Sequence, residues 1–600
     1  MTDRTRGVIC SVLAFSLARA RAPHARRHGL RRVVTGLLLL LQLPALASAA
    51  APQAGLPRPE TPEAPEAPET LSAEVVVYGG TSAGVAAAVQ VARMGRKVLL
   101  VSPDAQLGGL STAGLGFTDV GRREVVGGLG REFYRRLGAW YRKPEAWPWQ
   151  ARESFTFRVQ HAGNAAAGQD DGAVWVFEPS AAQAVVDALV AEAGVPVVRA
   201  RMDRASDATD VEAQRVRAIT LVDGRRVEGR VFIDATYEGD LFAAAGVSYV
   251  VGREPNARYG ETLNGVQHAR ATKHQFPDGI DPYLVEGDPS SGFLPGLDLD
   301  APDVVDGAGD ARMQAFCFRL CLTNHPENRA PFARPAGYDE RDYELLFRLI
   351  ATGYTKPWIT FSGVPNRKTD TNNHGPFSSD AIGLSHEWPE ASDARREALF
   401  AAHKRYQEGL LWTLAHHERV PAEVRAQFAD WGLAKDEFTA TGNWPDRIYV
   451  REGRRMVGEE VMTELHCLGK RVAEWPVGMA AYTMDSHNVR RTVRPGPDGA
   501  LQVMNEGDVQ VGGFGPYPIG FGALVPQRDE CTNLIVPVGL SATHMAFGSI
   551  RMEPVFFVLG QSAGTAAVHA IEEDVDVQAL DRARLTARLL ADGQILARPE

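Results

Sequence analysis

One histidine stands in a local pattern suited to proton transfer. Asp485 and His487 lie two residues apart in the segment WPVGMAAYTMDSHNVRR, residues 475–491. A carboxylate beside an imidazole fixes the ring tautomer and leaves the other nitrogen to accept a proton, so His487 is a candidate general base. Residues two apart share a face only in a strand or a turn, and a capping network in a loop explains the same pair as well.

Arg319 is a second candidate, in the segment MQAFCFRLCLT, residues 313–323, whose alternation of apolar residues predicts a strand. On that strand it shares a face with Ala315, Cys317 and Cys321, so a long cation projects from a row of small side chains. This arrangement suits an anionic or hydroxyl-rich substrate, and a buried salt bridge is the equal alternative. The two cysteines would lie about 13 Å apart, too far for a disulfide.

The element that would position such residues is a strand, a glycine turn, a helix and a second strand. Val75–Tyr78 form an apolar run, a helix is predicted from about Ser82 to Met94, and residues 97–101 form the next strand. Such a turn directs backbone N–H groups at an anion, which predicts a nucleotide; the alternative is a βαβ unit with no ligand. The turn residues predicted to contact the nucleotide are Gly79, Gly80, Thr81, Ser82, Ala83 and Gly84.

Two positions depart from the usual dinucleotide pattern. Thr81 replaces the middle glycine, so Gly80 and Gly84 would carry more of the close approach to phosphate. At the end of the second strand, where an acidic residue would bind the ribose, the chain reads Val-Ser-Pro-Asp. Ser102 is therefore a predicted ribose contact, and the alternative is that Asp104 reaches back to the ribose.

A second glycine-rich loop, LGGLSTAGLG, runs from Leu107 to Gly116 and lets the backbone approach a ligand closely. With this loop the sequence resembles FAD-dependent oxidoreductases of the glutathione-reductase-like type. It resembles more closely a largely uncharacterised bacterial family of secreted FAD-dependent oxidoreductases. The resemblance covers residues 75 to about 571 and includes FIDATYEGDLFAAAGVSYVVGRE, VPNRKTDTNNHG and VPVGLSATHMAFGSIRMEPVFFVLGQSAGTAA. The loop residues that it assigns to the cofactor are Gly108, Gly109, Ser111 and Thr112.

The resemblance implies FAD as the cofactor and an α/β fold. A Rossmann-like FAD/NAD(P)-binding domain would have a parallel sheet built from discontinuous segments, with an inserted β-rich substrate or cap domain. Asp234, after the strand that ends in Ile233, corresponds to the aspartate of the family's Asp-Ala-Thr-Gly pattern, and Tyr237 replaces the glycine. Asp234 would contact the cofactor or support its loop, and a plain turn or cap is the alternative.

The resemblance also implies that the last long helix, predicted to begin between Ser549 and Pro554, points its N-terminus at the flavin. Met552 and Glu553 would then contact the cofactor. His544 would lie in the preceding loop on the face of the ring, with Arg551 beside it.

The implied reaction is hydride transfer from a C–H bond of a small, possibly carbohydrate-like, organic substrate to flavin N5. His544 or His487 would take the accompanying proton, and Arg551 or Arg319 would stabilise developing oxyanion charge. The alternatives are an FAD-bound lyase or hydratase without net redox, a non-enzymatic flavin-binding protein, and an NAD-only dehydrogenase. The sequence leaves open the substrate, the electron acceptor, covalent attachment of FAD, and which histidine is the base.

Composition narrows the class of partner. Apolar residues make up 44% and charged residues 23%, as in globular proteins, and the formal net charge of −10 speaks against non-specific nucleic-acid binding. Cysteine and histidine show no zinc spacing, so no structural metal is predicted. The predicted partner is a small-molecule substrate, and the oligomeric state is left open.

The N-terminal residues predict export. Basic residues ending at Arg31-Arg32 precede an apolar core and small residues, which predicts a signal peptide. The arginine pair also permits twin-arginine export. The predicted site of action is periplasmic or extracellular. The apolar run is too short for a permanent membrane span. The predicted divisions are a signal peptide at 1–49, a Pro/Glu-rich disordered linker at 50–72, the first part of the FAD-binding domain at 73–250, a substrate or cap domain at 251–450, the C-terminal part of the FAD-binding domain at 451–575, and a C-terminal tail at 576–600.

Overall fold

The first strand begins earlier than the sequence predicts. The computed structural model describes residues 69–157, 171–205, 208–300 and 305–598. The predicted signal peptide and the linker as far as residue 68 lie outside the described residues. The strand begins at Thr70 rather than near Ala73, because Thr70 already pairs with Arg226 of a parallel neighbour.

Strands and helices are numbered in chain order. Within the described residues the strands are β1 (Thr70–Tyr78), β2 (Val98–Ser102), β3 (Val197–Arg199), β4 (Thr209–Glu212), β5 (Arg215–Thr220), β6 (Arg226–Asp234), β7 (Tyr249–Val250), β8 (Cys321–Thr323), β9 (Arg329–Ala330), β10 (Ile359–Val364), β11 (Lys368–Asn373), β12 (Gly432–Ala434), β13 (Arg455–Met456), β14 (Pro476–Ala480), β15 (Met484–Asp485), β16 (Arg490–Pro495), β17 (Leu501–Glu506), β18 (Gln510–Val511), β19 (Tyr517–Gly520) and β20 (Leu534–Ile535). The α-helices are α1 (Ser82–Arg93), α2 (Gly128–Trp140), α3 (Pro179–Glu192), α4 (Asp240–Ala244), α5 (Asn256–Tyr259), α6 (Glu344–Ala351), α7 (Asp393–His416), α8 (Ala422–Ala429), α9 (Glu464–Cys467), α10 (His544–Ile550), α11 (Glu553–Glu573) and α12 (Arg582–Ala591).

The central sheet has the strand order β3-β2-β1-β6-β5-β4, with β20 also paired to β6. Strands β3, β2, β1, β6 and β20 run parallel, and β5 and β4 add an antiparallel edge. Both faces of β1 are buried, Val75 and Val77 in one apolar cluster and Val76 and Tyr78 in another, as expected of a parallel strand covered on both sides. The predicted α/β fold with a parallel sheet from discontinuous segments is confirmed.

Helices α1 and α11 pack closely because glycine removes the side chains between them. A Cβ at Gly560 would lie 2.1 Å from the carbonyl oxygen of Ala83, so the two backbones are almost in contact. Among the described residues, α11 is the one helix long and apolar enough to cross a membrane, and its apolar stretch is buried inside the protein. The contact places the N-terminus of α11 beside the glycine turn that begins α1.

The middle of the chain forms a second sheet, in the order β10-β11-β8-β12-β9, with the 24-residue helix α7 among its neighbouring elements. Side chains of this region and of the central sheet belong to one continuous apolar core. The residues predicted as a C-terminal tail include α12, and Gln594 donates to the carbonyl of Val558 in α11 at 3.0 Å. The predicted domain boundaries stay predictions.

Two predicted elements differ from the structure. Only Cys321–Thr323 of the predicted strand 313–323 pairs regularly, although Cys317 forms an isolated bridge with Tyr449. The helix predicted to begin between Ser549 and Pro554 begins at Glu553, but a short helix, α10 (His544–Ile550), precedes it where a loop is predicted. His544 consequently lies in the first turn of α10 and not in a loop.

Candidate functional site

The glycine turn between β1 and α1 is held by its own threonine. Thr81 caps α1 by accepting a hydrogen bond from the amide of Gly84 at 3.3 Å, and its hydroxyl donates to the carbonyl of Ala235 at 2.7 Å. Gly79 has φ +111°, a conformation that favours glycine. A Cβ at Gly84 would lie 1.8 Å from the carbonyl oxygen of Gly79. The glycine at 84 is therefore required by the packing of helix against strand.

The second glycine loop lies directly against this turn. The amide of Gly108 donates to the carbonyl of Gly80 at 2.7 Å, and Thr112 closes the loop by donating to one of its carbonyls, also at 2.7 Å. A Cβ at Gly109 would lie 2.2 Å from the hydroxyl of Tyr237. Tyr237, which replaces the family's glycine, thus occupies the space that Gly109 leaves free.

Glu553, the first residue of α11, joins three of the predicted cofactor segments. Its carboxylate accepts hydrogen bonds from the hydroxyls of Ser82, of Tyr237 at 2.6 Å, and of Ser111 at 3.5 Å. Burial raises the pKa of Glu553 to about 7. Met552, which precedes it, is buried as the residue before the helix. The predicted residues of α1, the glycine loop and α11 therefore meet at one carboxylate.

A cavity of 340 Å³ opens at the carboxyl ends of β1, β2 and β6, and we call it the strand-end cavity. Its lining includes Gly79, Thr81, Asp104, Thr236 and Arg447. Ligands of open α/β sheets bind at this end of the strands. The cavity therefore lies where the turn at the start of α1 predicts a nucleotide.

Ser102 and Asp234 form hydrogen bonds within their own turns, and their predicted contacts with the nucleotide stay predictions. The Ser102 hydroxyl donates to the carbonyl of Asp104 at 3.1 Å and accepts from the amide of Asp104 at 3.2 Å. One carboxylate oxygen of Asp234 accepts from Thr236, and the other accepts from two amides of α4 at 3.0 Å. Each side chain closes its own turn, and of the two residues at the end of β2 it is Asp104 that lines the cavity.

Three buried arginines surround Tyr449, and we call them the arginine cluster. The guanidinium carbons of Arg319, Arg451 and Arg551 lie 5.7, 4.8 and 5.7 Å from the centre of the Tyr449 ring. Arg551 donates to the Tyr449 hydroxyl at 2.8 Å. Burial raises the pKa of Tyr449, so the ring presents a neutral phenol to these cations.

Of the two alternatives for Arg319, the structure shows the buried salt bridge. Its guanidinium donates to the two oxygens of Asp370 at 2.8 and 2.6 Å. Asp370 also accepts the amide of Phe117 at 3.0 Å, and Gly114 contacts the carbonyl of Arg319 so closely that a Cβ would lie 1.8 Å away. The pair thus anchors the end of the glycine loop to the middle of the chain.

His544 has the geometry of an oriented base. Its Nδ1 lies 2.8 Å from a carboxylate oxygen of Glu452, and its Nε2 makes no hydrogen bond to any described residue. Burial opposes ionisation of Glu452, but the neighbouring His544 and Arg455 hold the pKa of Glu452 at about 2. The ionised Glu452 therefore orients the ring, and Nε2 is left to accept a proton.

His487 lies between two carboxylates. Its Nδ1 is 2.8 Å from Asp380, and its Nε2 is 3.6 Å from Asp485, the residue that the sequence suggested as its partner. Burial opposes ionisation of Asp380, but Arg451 and His487 hold the pKa of Asp380 well below its usual range. Both ring nitrogens of His487 thus face a carboxylate.

Buried hydrogen bonds connect both histidines with the arginine cluster. Gln314 donates to Glu452 at 2.8 Å and accepts the backbone amide of His487 at 3.2 Å. Asp380 contacts Arg451 at 2.9 Å, and Asp485 contacts Arg551 at 3.4 Å. All four side chains predicted to take part in catalysis therefore contribute to one buried polar region.

Several residues of this region were missed from the sequence. They are Arg447, Tyr449, Arg451 and Glu452, which lie together in RIYVREGRR, residues 447–455. The signal was present, because Arg447, Tyr449 and Arg451 alternate with apolar Ile448 and Val450. Such alternation is typical of an extended segment with one polar face.

A separate group of acids lies near the start of α3. Glu178, Asp436 and Glu437 come close enough together to hold a metal ion. Lys368 lies among them, with its Nζ 2.8, 2.8 and 2.7 Å from the three carboxylates, and we call the four residues the acid cage. An ammonium group thus occupies the centre of this cluster.

One comparison with known proteins identifies the family. The model of the family described as FAD dependent oxidoreductase matches residues 74–589. No curated protein matches the sequence.

Solved structures similar to this chain include one flavin-containing monooxygenase and two dehydrogenases. A flavin-containing monooxygenase from Stenotrophomonas maltophilia is 18% identical, with 33% of this chain and 45% of that chain covered and a TM-score of 0.17. An L-proline dehydrogenase from P. horikoshii is 15% identical (31% and 59% covered, TM-score 0.21). A 3-ketosteroid-delta4-(5alpha)-dehydrogenase from Rhodococcus jostii RHA1 is 16% identical (28% and 49% covered, TM-score 0.18). This chain spans less than two thirds of each, and at these TM-scores the likenesses carry no argument.

Proposed function

The chain belongs to the FAD-dependent oxidoreductase family, and we propose that it oxidises a small polar organic molecule by hydride transfer to the flavin. The observation that carries the proposal is the buried polar region, in which an oriented histidine and the arginine cluster lie next to the predicted flavin segments. Bound FAD supplies the acceptor for the hydride that leaves the substrate carbon. The residues of the chain bind the substrate, orient it and accept its proton.

The described residues fit FAD. The strand-end cavity lies at the N-terminus of α1, where a pyrophosphate gains from free amides and the helix dipole. Asp104 at the end of β2 is the carboxylate that suits ribose hydroxyls. The N-terminus of α11 lies against the glycine loop through Glu553, and a helix N-terminus favours negative charge on a nearby ring.

We assign the general base to His544. Its Nδ1 is held by Glu452, and its Nε2 has no partner among the described residues. His487 faces Asp380 and Asp485 with its two nitrogens, so, unlike His544, it has no ring nitrogen that is free of a nearby carboxylate. Its role in the proposal is to hold Arg451 and Arg551 in place through those two acids.

Arg551 is the better candidate for the group that stabilises negative charge on the substrate oxygen. Arg319 donates to both oxygens of Asp370, whereas Arg551 donates to the neutral Tyr449 hydroxyl at 2.8 Å and lies 3.4 Å from a carboxylate oxygen of Asp485. Each guanidinium has one nitrogen without a hydrogen-bond partner in the described part of the chain, so it is the weaker acidic pairing of Arg551 that leaves its charge available. A positive charge held in a buried site stabilises an oxyanion more strongly than the same charge in water. A hydroxyl-bearing substrate, carbohydrate-like or smaller, would match these donors.

The test is anaerobic reduction of the flavin in the protein starting near residue 50. A panel of sugars, polyols and hydroxy acids is added, and the flavin absorbance is followed. With a substrate that bleaches the wild type, His544→Gln should slow reduction by about 10²- to 10⁴-fold, the usual contribution of a general base. His487→Gln is the matched control and should slow it less. Equal losses in both variants would contradict the assignment, and a substrate that is converted without bleaching would favour a lyase or hydratase.

We also propose that the protein is exported, because residues 1–49 have the basic, apolar and small-residue order of a signal peptide. The mature N-terminus and the cell fraction that contains the protein test this. A protein that keeps residues 1–49 and stays in the cytoplasm would contradict export.

A further inference from the structure

Arg447 is a charged side chain in an apolar setting at the edge of the strand-end cavity. Its side chain is 10% exposed, and its guanidinium carbon lies 5.0 Å above the centre of the Tyr237 ring. Burial lowers the pKa of Arg447 to about 10. A guanidinium that has lost its water gains from any anion that can enter the cavity.

The cavity contains other arginines, but each of them makes two contacts with carboxylate oxygens, whereas Arg447 makes one. Arg396 binds both oxygens of Asp240, at 2.6 and 2.9 Å, and Arg204 contacts Asp240 and Asp393. Arg447 forms an ion pair with Asp104 and donates no hydrogen bond to another described residue. Its fork is therefore the part of the lining with capacity for a further anion.

The N-terminus of α1 supplies the rest of an anion site. The amides of Ser82 and Ala83 donate to no acceptor among the described residues, as expected at the start of a helix, and Thr81 lines the cavity together with Arg447. Thr81 and Arg447 line this cavity, and the free amides at the start of α1 directly follow Thr81 in the chain, so together they offer the donors that phosphate oxygens require.

We propose that Arg447 binds the pyrophosphate of FAD, while its ion-pair partner Asp104 binds the adjacent ribose. The ion pair places the carboxylate of Asp104 beside the guanidinium of Arg447, just as a dinucleotide has its ribose hydroxyls beside its phosphates. Arg447 comes from the middle of the chain and reaches a site otherwise built from β1, β2 and α1. The inference rests on FAD binding and is independent of the proposed hydride transfer, so either can fail without the other.

The experiment measures FAD release and competition on the holoenzyme. The fluorescence of released flavin gives the Kd of FAD, and displacement by ADP or by adenosine separates the phosphate contribution from the adenosine contribution. Arg447→Gln should raise the Kd of FAD by about 10- to 100-fold, the range expected for hydrogen bonds to a charged group. It should also reduce the preference for ADP over adenosine by a similar factor.

Three variants serve as controls. Arg201→Gln removes another cation from the same cavity, one that pairs with Asp393 and Glu397, and should leave the ADP preference unchanged. Asp104→Asn breaks the same ion pair but keeps the cation, so the ADP preference should persist. Arg447→Lys keeps the charge without the fork and should fall between wild type and Arg447→Gln; it carries the test if Arg447→Gln does not fold.

The proposal is overturned by either of two results. The first is an ADP preference that survives in Arg447→Gln and Arg447→Lys, because the guanidinium would then contribute nothing to phosphate binding. The second is an equal loss of ADP preference in Asp104→Asn, because the effect would then come from the broken ion pair.

Discussion

Replacing Arg319 by methionine removes one member of a buried ion pair and leaves the carboxylate of Asp370 without its counter-charge. The two contacts are 2.8 and 2.6 Å long, and the side chains are 4% and 1% exposed. Opposite charges about 4 Å apart attract by about 4 kcal/mol at an effective dielectric constant of about 20. Stranding one partner of a buried pair costs about 3–5 kcal/mol. We expect that loss in the free energy of unfolding for Arg319→Met and for Asp370→Asn.

The assay is urea denaturation followed by tryptophan fluorescence, with excess FAD in every sample. The double variant should cost about as much as one single variant, because the second change removes a charge that is already stranded. The interaction energy of the cycle is then also about 3–5 kcal/mol. Costs that simply add, or single variants that lose less than about 1 kcal/mol, would refute the reasoning.

The same cycle separates an anchor from a substrate ligand. If Arg319 acts only through Asp370 to anchor the glycine loop, Arg319→Met and Asp370→Asn should slow reduction of the flavin by the same factor, and the double variant should lose no more. If Arg319 binds the substrate directly, Arg319→Met should slow reduction more than Asp370→Asn does. That result would return Arg319 to the catalytic set.

Three further predictions concern single residues. Burial raises the pKa of Glu553 from 4.5 to about 7, so folding favours the protonated carboxyl group. The protonated group stabilises the folded protein fully below pH 4.5, and this contribution is lost as the pH rises through 7. Between pH 5 and pH 8, Glu553→Gln should therefore gain up to about 3 kcal/mol in unfolding free energy over the wild type, and parallel pH profiles would contradict this. Gly84→Ala places a Cβ against the carbonyl of Gly79 and should lower both the melting temperature and FAD retention. Gly363→Ala, at a glycine with open space around it and no positive φ, is the control for packing. Lys368→Met leaves the three carboxylates of the acid cage without their cation and should lower the free energy of unfolding by about 3–5 kcal/mol at pH 8. The loss should be smaller at pH 5, because burial raises the pKa of Glu178 and of Glu437 and so lets them protonate. A loss that is independent of pH would contradict this account.

Local patterns predicted the parts of this protein whose structure is decided by near neighbours. The apolar run Val75–Tyr78, the glycine turn and the small residues of α1 together require a strand, a tight turn and a closely packed helix, and the structure contains them. Glycine at 560 similarly indicated the close approach of α11. In each case the residues that carry the signal also make the contact or lie within a few positions of it.

The partners of the site residues have no such signal. Asp485 is near His487 in sequence, yet the shorter contact is to Asp380, which lies 107 residues away. Glu452 and His544 are 92 residues apart. Such pairs depend on how the second sheet and the central sheet are brought together by the apolar core, and a single sequence does not encode that arrangement in any local pattern. A histidine could therefore be proposed as the base only after the fold was known.

The segment Arg447–Arg455 connects what the sequence presented as separate sites. Arg447 reaches the strand-end cavity, Tyr449 lies inside the arginine cluster, and Glu452 orients His544. Because these residues lie within six consecutive positions, a shift of Arg447 toward a bound phosphate would also be felt at Tyr449 and Glu452. Binding of the cofactor and alignment of the base would then be coupled through this one segment. Arg447→Gln should accordingly slow the reduction of the flavin by the substrate even at saturating FAD. A rate equal to that of the wild type under those conditions would show that the two ends of the segment act independently.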